Sequence, residues 1–371
     1  MDPMQNTILK LALLLPFLLT CRNQNSIHTE AEAADTAKQV FAYPASEYIT
    51  GFTFDTTRLS LGDGDNWAIT WADDDKQYSF FTDGIGFGLH EEAVSTAPVV
   101  IEGTPPDIVG YDIPTETGTI PFPIAEGSAK VSGLLMAKGV LYAWIRNLNL
   151  PDMPKGTGST MMYSTDHGKT WVWVDWNWPN IGYPSWLNAG KNYSAAPDDY
   201  AYFIAPDGQS AYADYPHIIM GRVEVSKILE KDHYRFYSGL NDSNQVIWGE
   251  YQERKPMFTD KTGCFRPDIV YNEGLDRYLL ITCTPYGEWE WWANENPDRV
   301  PHLGIFEAPN PWGPWSTVYY EEEWGKPENR FAPHIPPKWI SESGNELYLL
   351  YSCIPTGPYQ FNIQRCYFET R

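Results

Sequence analysis

Positive charge is scarce in this chain: 26 Lys and Arg face 48 Asp and Glu, a net charge of −22 over 371 residues. Binding to a phosphate backbone or an anionic membrane surface needs clustered cations, so nucleic acid is excluded as a partner and a neutral or cationic ligand is favoured. Histidine is scarce too, with seven residues, and no second His or Cys stands at ligand spacing from His334. No metal and no cofactor are therefore expected. No long segment carries a 3.6-residue apolar period, which argues against a helical domain. After residue 47 no Ser/Gly/Pro-rich linker or charge block divides the chain, so residues 47–371 are expected to form one domain. A monomer is expected.

The apolar run from Leu11 to Leu19 is too short to span a bilayer as a helix. With one preceding Lys and a Leu-Leu-Thr-Cys box ending at Cys21, "MQNTILKLALLLPFLLTC" has the form of a bacterial lipoprotein signal. The expectation is a signal peptide over 1–20, lipidation of Cys21, and a polar, Ala-rich tether over 21–46. Export would leave the protein anchored in a membrane, facing the periplasm or the cell surface, where cysteines can oxidise. Cys264 and Cys283 lie nearly symmetrically about "NEGLD" and are expected on adjacent antiparallel strands, while Cys353 and Cys366 flank "PTGPY" less evenly. Free buried thiols are the alternative to disulfides at both pairs.

What the chain has in abundance is aromatic residues and turn formers: 16 Trp, 24 Tyr, 16 Phe, 29 Gly and 30 Pro. This is the composition of an all-β domain with many turns. Short strands cluster near 65–88, 131–176, 199–238, 246–319 and 331–369. Five units of about 65 residues suit a propeller with loop insertions better than a β-sandwich. The strand in "SEYITGFTFDTTRLSLG" has no partner in its own cluster, so it is assigned to the last blade, where it closes the ring. "STDHGKTW" matches an Asp box at Ser164, Asp166, Gly168, Thr170 and Trp171, a structural hairpin turn whose carboxylate is consumed by backbone donors.

The ordered phrases "NWAITWADDDKQYSFFTDGIGFG", "IIMGRVEVSKILEKDHYRFYSG", "CFRPDIVYNEGLDRYLLIT", "GIFEAPNPWGPWSTVYY" and "FAPHIPPKWISESGNELYLLYS" run through nearly all of residues 48–369. Together they resemble the domain-of-unknown-function family 4185. That resemblance implies a five-bladed propeller, and it suggests furanoside hydrolysis, because some members are endo-D-arabinanases of glycoside hydrolase family 183. Two other propeller patterns fit less well. The "FRPD" at 265–268 is too late and wrongly spaced for a sialidase, and the Trp-x-x-Asp-Pro opening of invertase-like enzymes is missing.

Glycoside hydrolysis needs two carboxyl groups across the scissile bond, about 5–5.5 Å apart for retention and about 6.5–9.5 Å for inversion. If Asp73–Asp75 form a turn, strands 66–72 and 76–82 pair and Asp65 falls opposite Asp83. Those two are the expected catalytic pair, with Asp63 as substitute if the register differs. Asp73, Asp74 and Asp75 are expected to be the solvated turn. Arg266, Asp268, Glu250 and His334, each at a predicted strand edge, are expected to bind substrate. Trp289, Trp291 and Trp292 in "YGEWEWWAN" join them as sugar-stacking platforms, with Trp178, Tyr183 and Trp186 available to line a cleft. The expected substrate is a furanose-containing polysaccharide or oligosaccharide such as an arabinan. A glycan-binding propeller without catalysis is the alternative, and a lyase, which needs cations against uronates, fits the acidic composition less well.

Overall fold

In a computed structural model, residues 43–115, 129–148, 156–285, 298–353 and 359–371 are described. Residues 1–42 lie outside them, so the expected leader, Cys21 and most of the tether do too.

The tight turn at Ala72–Lys76 closes the first hairpin: the Asp75 amide donates to the Ala72 carbonyl at 3.2 Å, and Asp75 takes a left-handed φ of 67°. The flanking strands, Asp63–Trp71 and Gln77–Gly86, continue through Val94–Thr104 and Asp107–Asp112 as a four-stranded antiparallel meander, blade I. Blade II repeats this with Lys130–Ala137, Val140–Arg146, Ser159–Ser164 and Val172–Trp178. Blade III orders Ser185–Trp186, Tyr200–Pro206, His217–Glu224, Arg235–Leu240 and Val246–Gly249, with Phe258–Thr259 paired to its middle strand. Blade IV runs Phe265–Asn272, Arg277–Thr284, His302–Ala308 and Ser316–Glu322, with Asn188–Ala189 lying parallel to its first strand. Blade V combines Arg330–His334, Glu346–Cys353 and Phe361–Thr370 with Ile49–Leu61. The architecture is an all-β, five-bladed propeller closed, as expected, by the N-terminal strand in the last blade. Two boundaries differ from the sequence reading. Blade I extends to Asp112, and Val246–Gly249 is the edge of blade III rather than the start of blade IV.

Burial follows position in the blade. All eight residues of Lys130–Ala137 are buried, whereas Asp107–Asp112 alternates exposed and half-buried. Inner strands are covered on both faces by neighbouring blades, so their sequences read as continuous apolar runs, and outermost strands keep the period of two. Apolar layers join blades I and II through Phe80 and Trp171, II to IV through Trp144, Phe203 and Phe306, IV and V through Leu279 and Leu349, and V to I through Trp67 and Phe361. At the centre, Asn188 donates to the carbonyls of Ile69 (3.3 Å) and Leu134 (3.2 Å) and accepts from Thr70 Oγ1 at 2.6 Å, tying blades I and II to the segment between III and IV.

The Asp box forms as expected. Thr170 donates to Asp166 through its amide (2.9 Å) and hydroxyl (2.7 Å), Gly168 takes φ 85°, and Trp171 is buried. Cys283 faces Phe265, one residue past Cys264, because the turn pairs Asn272 with Arg277 and a bulge follows Phe265. The two cysteines flank the expected hairpin, but no disulfide joins them. Cys353 and Cys366 sit on neighbouring strands far apart in register, and all four thiols are free and buried.

Candidate active site

Three inner strands share one irregularity near their start. Register breaks between Asp65 and Ala68, between Phe265 and Asp268, and between Phe331 and His334, and at each break one residue other than Gly has left-handed backbone: Asn66 (φ 52°), Arg266 (φ 46°) and Ala332 (φ 48°). Blade II breaks at the corresponding place, between Val131 and Gly133. A bulge re-aims a side chain out of the sheet, and a left-handed non-Gly residue costs on the order of 1–3 kcal/mol, which clusters at functional sites. The repeated bulges all lie at one end of the inner strands.

The bulge in blade I changes the expected pairing. From Trp71↔Gln77 to Ala68↔Phe80 the hairpin keeps the register that would set Asp65 against Asp83, but the break places Asp65 opposite Thr82. Asp83, at φ 53°, is the next residue along. The strands pinch here: a Cβ on Gly84 would stand 2.3 Å from the Asp63 carbonyl oxygen, so Asp83-Gly84 marks close approach rather than a turn. Asp65 still feels Asp83. Burial, then the Asp83 charge, push its carboxyl above the usual range, against the opposing pull of Arg266 and Lys130. Thr82 and Tyr359 hydrogen-bond to Asp65, and Lys130 donates to Asp83. Asp65 is 6 % exposed.

Around this pair stand Tyr183 and Arg266, which the sequence suggests, and Lys130, Arg146, Asn147 and Tyr212, which it does not. Arg146 ends the second strand of blade II and donates to the Tyr212 hydroxyl at 3.3 Å, which also accepts from Asn147 at 2.8 Å. Tyr183 donates to Asn66 Oδ1 at 2.5 Å. Both guanidiniums lie over the same rings: Arg146 is 5.6 Å from the centroids of Tyr183 and Tyr212, and Arg266 is 5.6 and 5.9 Å from them. The signal for these cations was present, since Lys130 and Arg146 are lone charges at the ends of strands otherwise apolar. Burial raises the Tyr183 phenol to about 12 although Arg266 and Arg146 pull it down. At Tyr212 burial also raises, but Arg146, Lys130 and Arg266 together bring the phenol below its ordinary value.

Of the residues expected to bind substrate, Arg266, Asp268 and His334 join this cluster. Asp268 accepts from Ser185 Oγ at 3.1 Å and pairs with His334 Nδ1 at 3.3 Å, so its partner is His334 rather than Arg266. Glu250 does not reach it. It caps a short 3-10 turn after the edge strand of blade III, exposed and 3.4 Å from Arg235. Trp186 is fully buried and stacked on Trp144 at 5.2 Å between blades, and Trp178 packs against Phe236 and Tyr251, so neither lines a cleft. Only Tyr183 of that trio belongs to the site. Trp289, Trp291 and Trp292 lie outside the described residues.

Asp63 is occupied by the Ile85 amide at 2.9 Å. Asp73–Asp75 lie at the opposite end of the hairpin, exposed as expected. Asp73 pairs with His167 at 2.8 Å, and with Asp74 these form the one grouping among the described residues with the donor atoms of a metal site, on an exposed turn.

No protein-family model and no curated protein matches the sequence. Solved structures do match in fold. A "putative hydrolase" from Bacteroides ovatus superposes with a TM-score of 0.52 at 12% identity, over 83% of this chain and 87% of the other. The alpha-L-arabinofuranosidase PaAbf62A from Podospora anserina gives 0.44 at 10% identity over 88% and 96%. A family 117 glycoside hydrolase from Zobellia galactanivorans gives 0.45 at 12% over 87% and 91%. At 12% identity the likeness to the Bacteroides ovatus structure is one of fold.

Proposed function

We propose that this propeller is a glycoside hydrolase, exported and held to a membrane through Cys21, that cleaves a furanose-containing polysaccharide such as an arabinan. The observation that carries the reading is the Asp65–Asp83 pair. One carboxyl is buried and pushed up, suited to hold a proton for the leaving oxygen, and the other is paired with Lys130. In the proposed mechanism Asp65 protonates the glycosidic oxygen, while Asp83 attacks the anomeric carbon or activates water. The electron pair of the breaking C–O bond leaves with the oxygen that receives the Asp65 proton. Tyr359 and Thr82 fix the Asp65 carboxyl by hydrogen bonds, and Lys130 fixes Asp83. Arg266, Asp268 and His334 are assigned to substrate binding, and Trp289, Trp291 and Trp292 to stacking on sugar rings. Reducing ends released by the purified protein from α- and β-linked arabinans and other furanose polymers test the reading. Release from none of them, with the protein folded, would remove it.

A further inference from the structure

The chain is strongly acidic, yet three cations are buried together around Asp65 and Asp83: Lys130, Arg146 and Arg266 are 3 %, 1 % and 4 % exposed. Lys130 is answered by Asp83. Among the described residues the two guanidiniums are not answered in kind. Arg146 has one hydrogen bond among the described residues, the 3.3 Å contact to Tyr212, and no acceptor among them meets its buried Nε. The buried Nε of Arg266 likewise has none, and ring faces, including Phe265 at 4.7 Å, are its close neighbours. Among the described residues no carboxylate oxygen lies within 4.0 Å of either guanidinium. Folding does not bury two like charges together without compensation unless something else repays the cost. Aromatic faces hold a guanidinium by cation–π attraction while leaving its planar N–H fork free, and that fork matches an oxyanion. Arg266 also sits on strained backbone.

The neighbouring acids do not fill this role. Asp83 is matched by Lys130 and Asp268 by His334 and Ser185, which among the described residues of this cluster leaves Asp65 against two guanidiniums. The lowered Tyr212 phenol is consistent with that surplus of positive charge, since burial acts on it in the other direction.

We infer that Arg146 and Arg266 bind an anionic group of the substrate sugar, a carboxylate or a sulfate ester, beside the Asp65–Asp83 pair. The inference rests on the glycosidase reading only in treating this cluster as the substrate site. It changes the substrate class from a neutral furanose polymer to a saccharide with an acidic residue where cleavage occurs.

The test is calorimetric titration of the purified full chain with oligogalacturonate and oligoglucuronate, with their carboxyl-reduced neutral counterparts, and with neutral oligosaccharides sulfated at the corresponding carbon. At least one acidic series should bind 10-fold or more tighter than its neutral counterpart. Arg266→Gln and Arg146→Gln should each remove most of that preference, Arg266→Lys should keep part of it, and the half-buried, distant Arg235→Gln on the edge hairpin of blade III should leave it intact. Tighter uronate assigns a carboxylate; tighter sulfated sugar assigns a sulfate ester. Equal affinity for acidic and neutral sugars, no binding of any acidic series, or a preference that survives in both folded Gln variants would overturn the inference. Hydrolysis measured in parallel separates it from the glycosidase reading. Cleavage of neutral polymers with KM unchanged in Arg266→Gln keeps the hydrolase and removes the anion site. Acidic-sugar binding without bond cleavage does the reverse.

Discussion

Lys130 donates to the Asp83 carboxylate from the first residue of an inner strand, and its side chain keeps 4 % of its exposure against 29 % for Asp83. An ammonium so placed is tolerated because its counter-ion is fixed. Lys130→Met removes the cation and leaves Asp83 unpaired beside Asp65, so unfolding free energy should fall by about 3 kcal/mol, the lower end for breaking a buried pair. Asp83→Asn added to Lys130→Met should recover part of that loss in urea titration. Full additivity of the two would show that they do not interact.

The Asp box separates stability from chemistry. Asp166 accepts from the Ser164 hydroxyl at 2.8 Å as well as from both Thr170 donors. Asp166→Asn keeps one acceptor oxygen and should cost about 1–2 kcal/mol in thermal or urea unfolding. Its kcat below the melting transition should equal that of the parent chain.

Trp186 is a packing residue. Stacked on Trp144 and edge-on to Phe203, it fills the layer between blades II and III. Trp186→Ala should destabilise by about 3–5 kcal/mol through the cavity it leaves. Glycan affinity of the folded fraction should stay as it was, measured by calorimetry at a temperature where the variant is native.

Two buried acids set the pH response. Burial raises Asp214 to about 7 from 3.8, against the pull of Thr284, Arg299 and the Cys264 amide. With the folded-state value above the unfolded one, the native chain holds the proton longer, so this contribution is full below about pH 4 and is lost as pH rises through about 7. Asp214→Asn should flatten that decline in a stability–pH profile. Asp65 is raised in the same direction, and as the proton donor it places the alkaline fall of kcat/KM above the ordinary carboxylate range. The Asp65→Asn variant should lack that limb.

The ring was legible in the sequence because turn chemistry and apolar runs mark strands locally: the Ala72–Lys76 turn, the Asp box, and an orphan strand that needed a partner. The site was legible only in outline. Period-two pairing carried the first hairpin correctly to Ala68↔Phe80 and then missed the bulge at Asn66, a residue type that tolerates left-handed backbone but does not by itself mark a break in register. Lys130, Arg146 and Tyr212 come from other strands and loops and meet Asp65 only when the blades close. Glu250 and Trp186 failed as site residues for the opposite reason: a strand-edge position or a loop-like sequence does not say whether the strand is innermost, outermost or between blades.

The most direct test of the catalytic assignment is turnover of Asp65→Asn and Asp83→Asn on whichever polysaccharide the parent chain cleaves, beside binding and melting of the same samples. Each substitution removes a charge or a transferable proton with little change in size. Each kcat should therefore fall by about 10²–10⁴-fold or more while affinity changes little, and melting temperature should change little in Asp65→Asn but fall in Asp83→Asn, which leaves the buried Lys130 without its counter-ion. Full activity in both variants would contradict the assignment, and a parent chain that binds glycans but cleaves none would make the propeller a binding module.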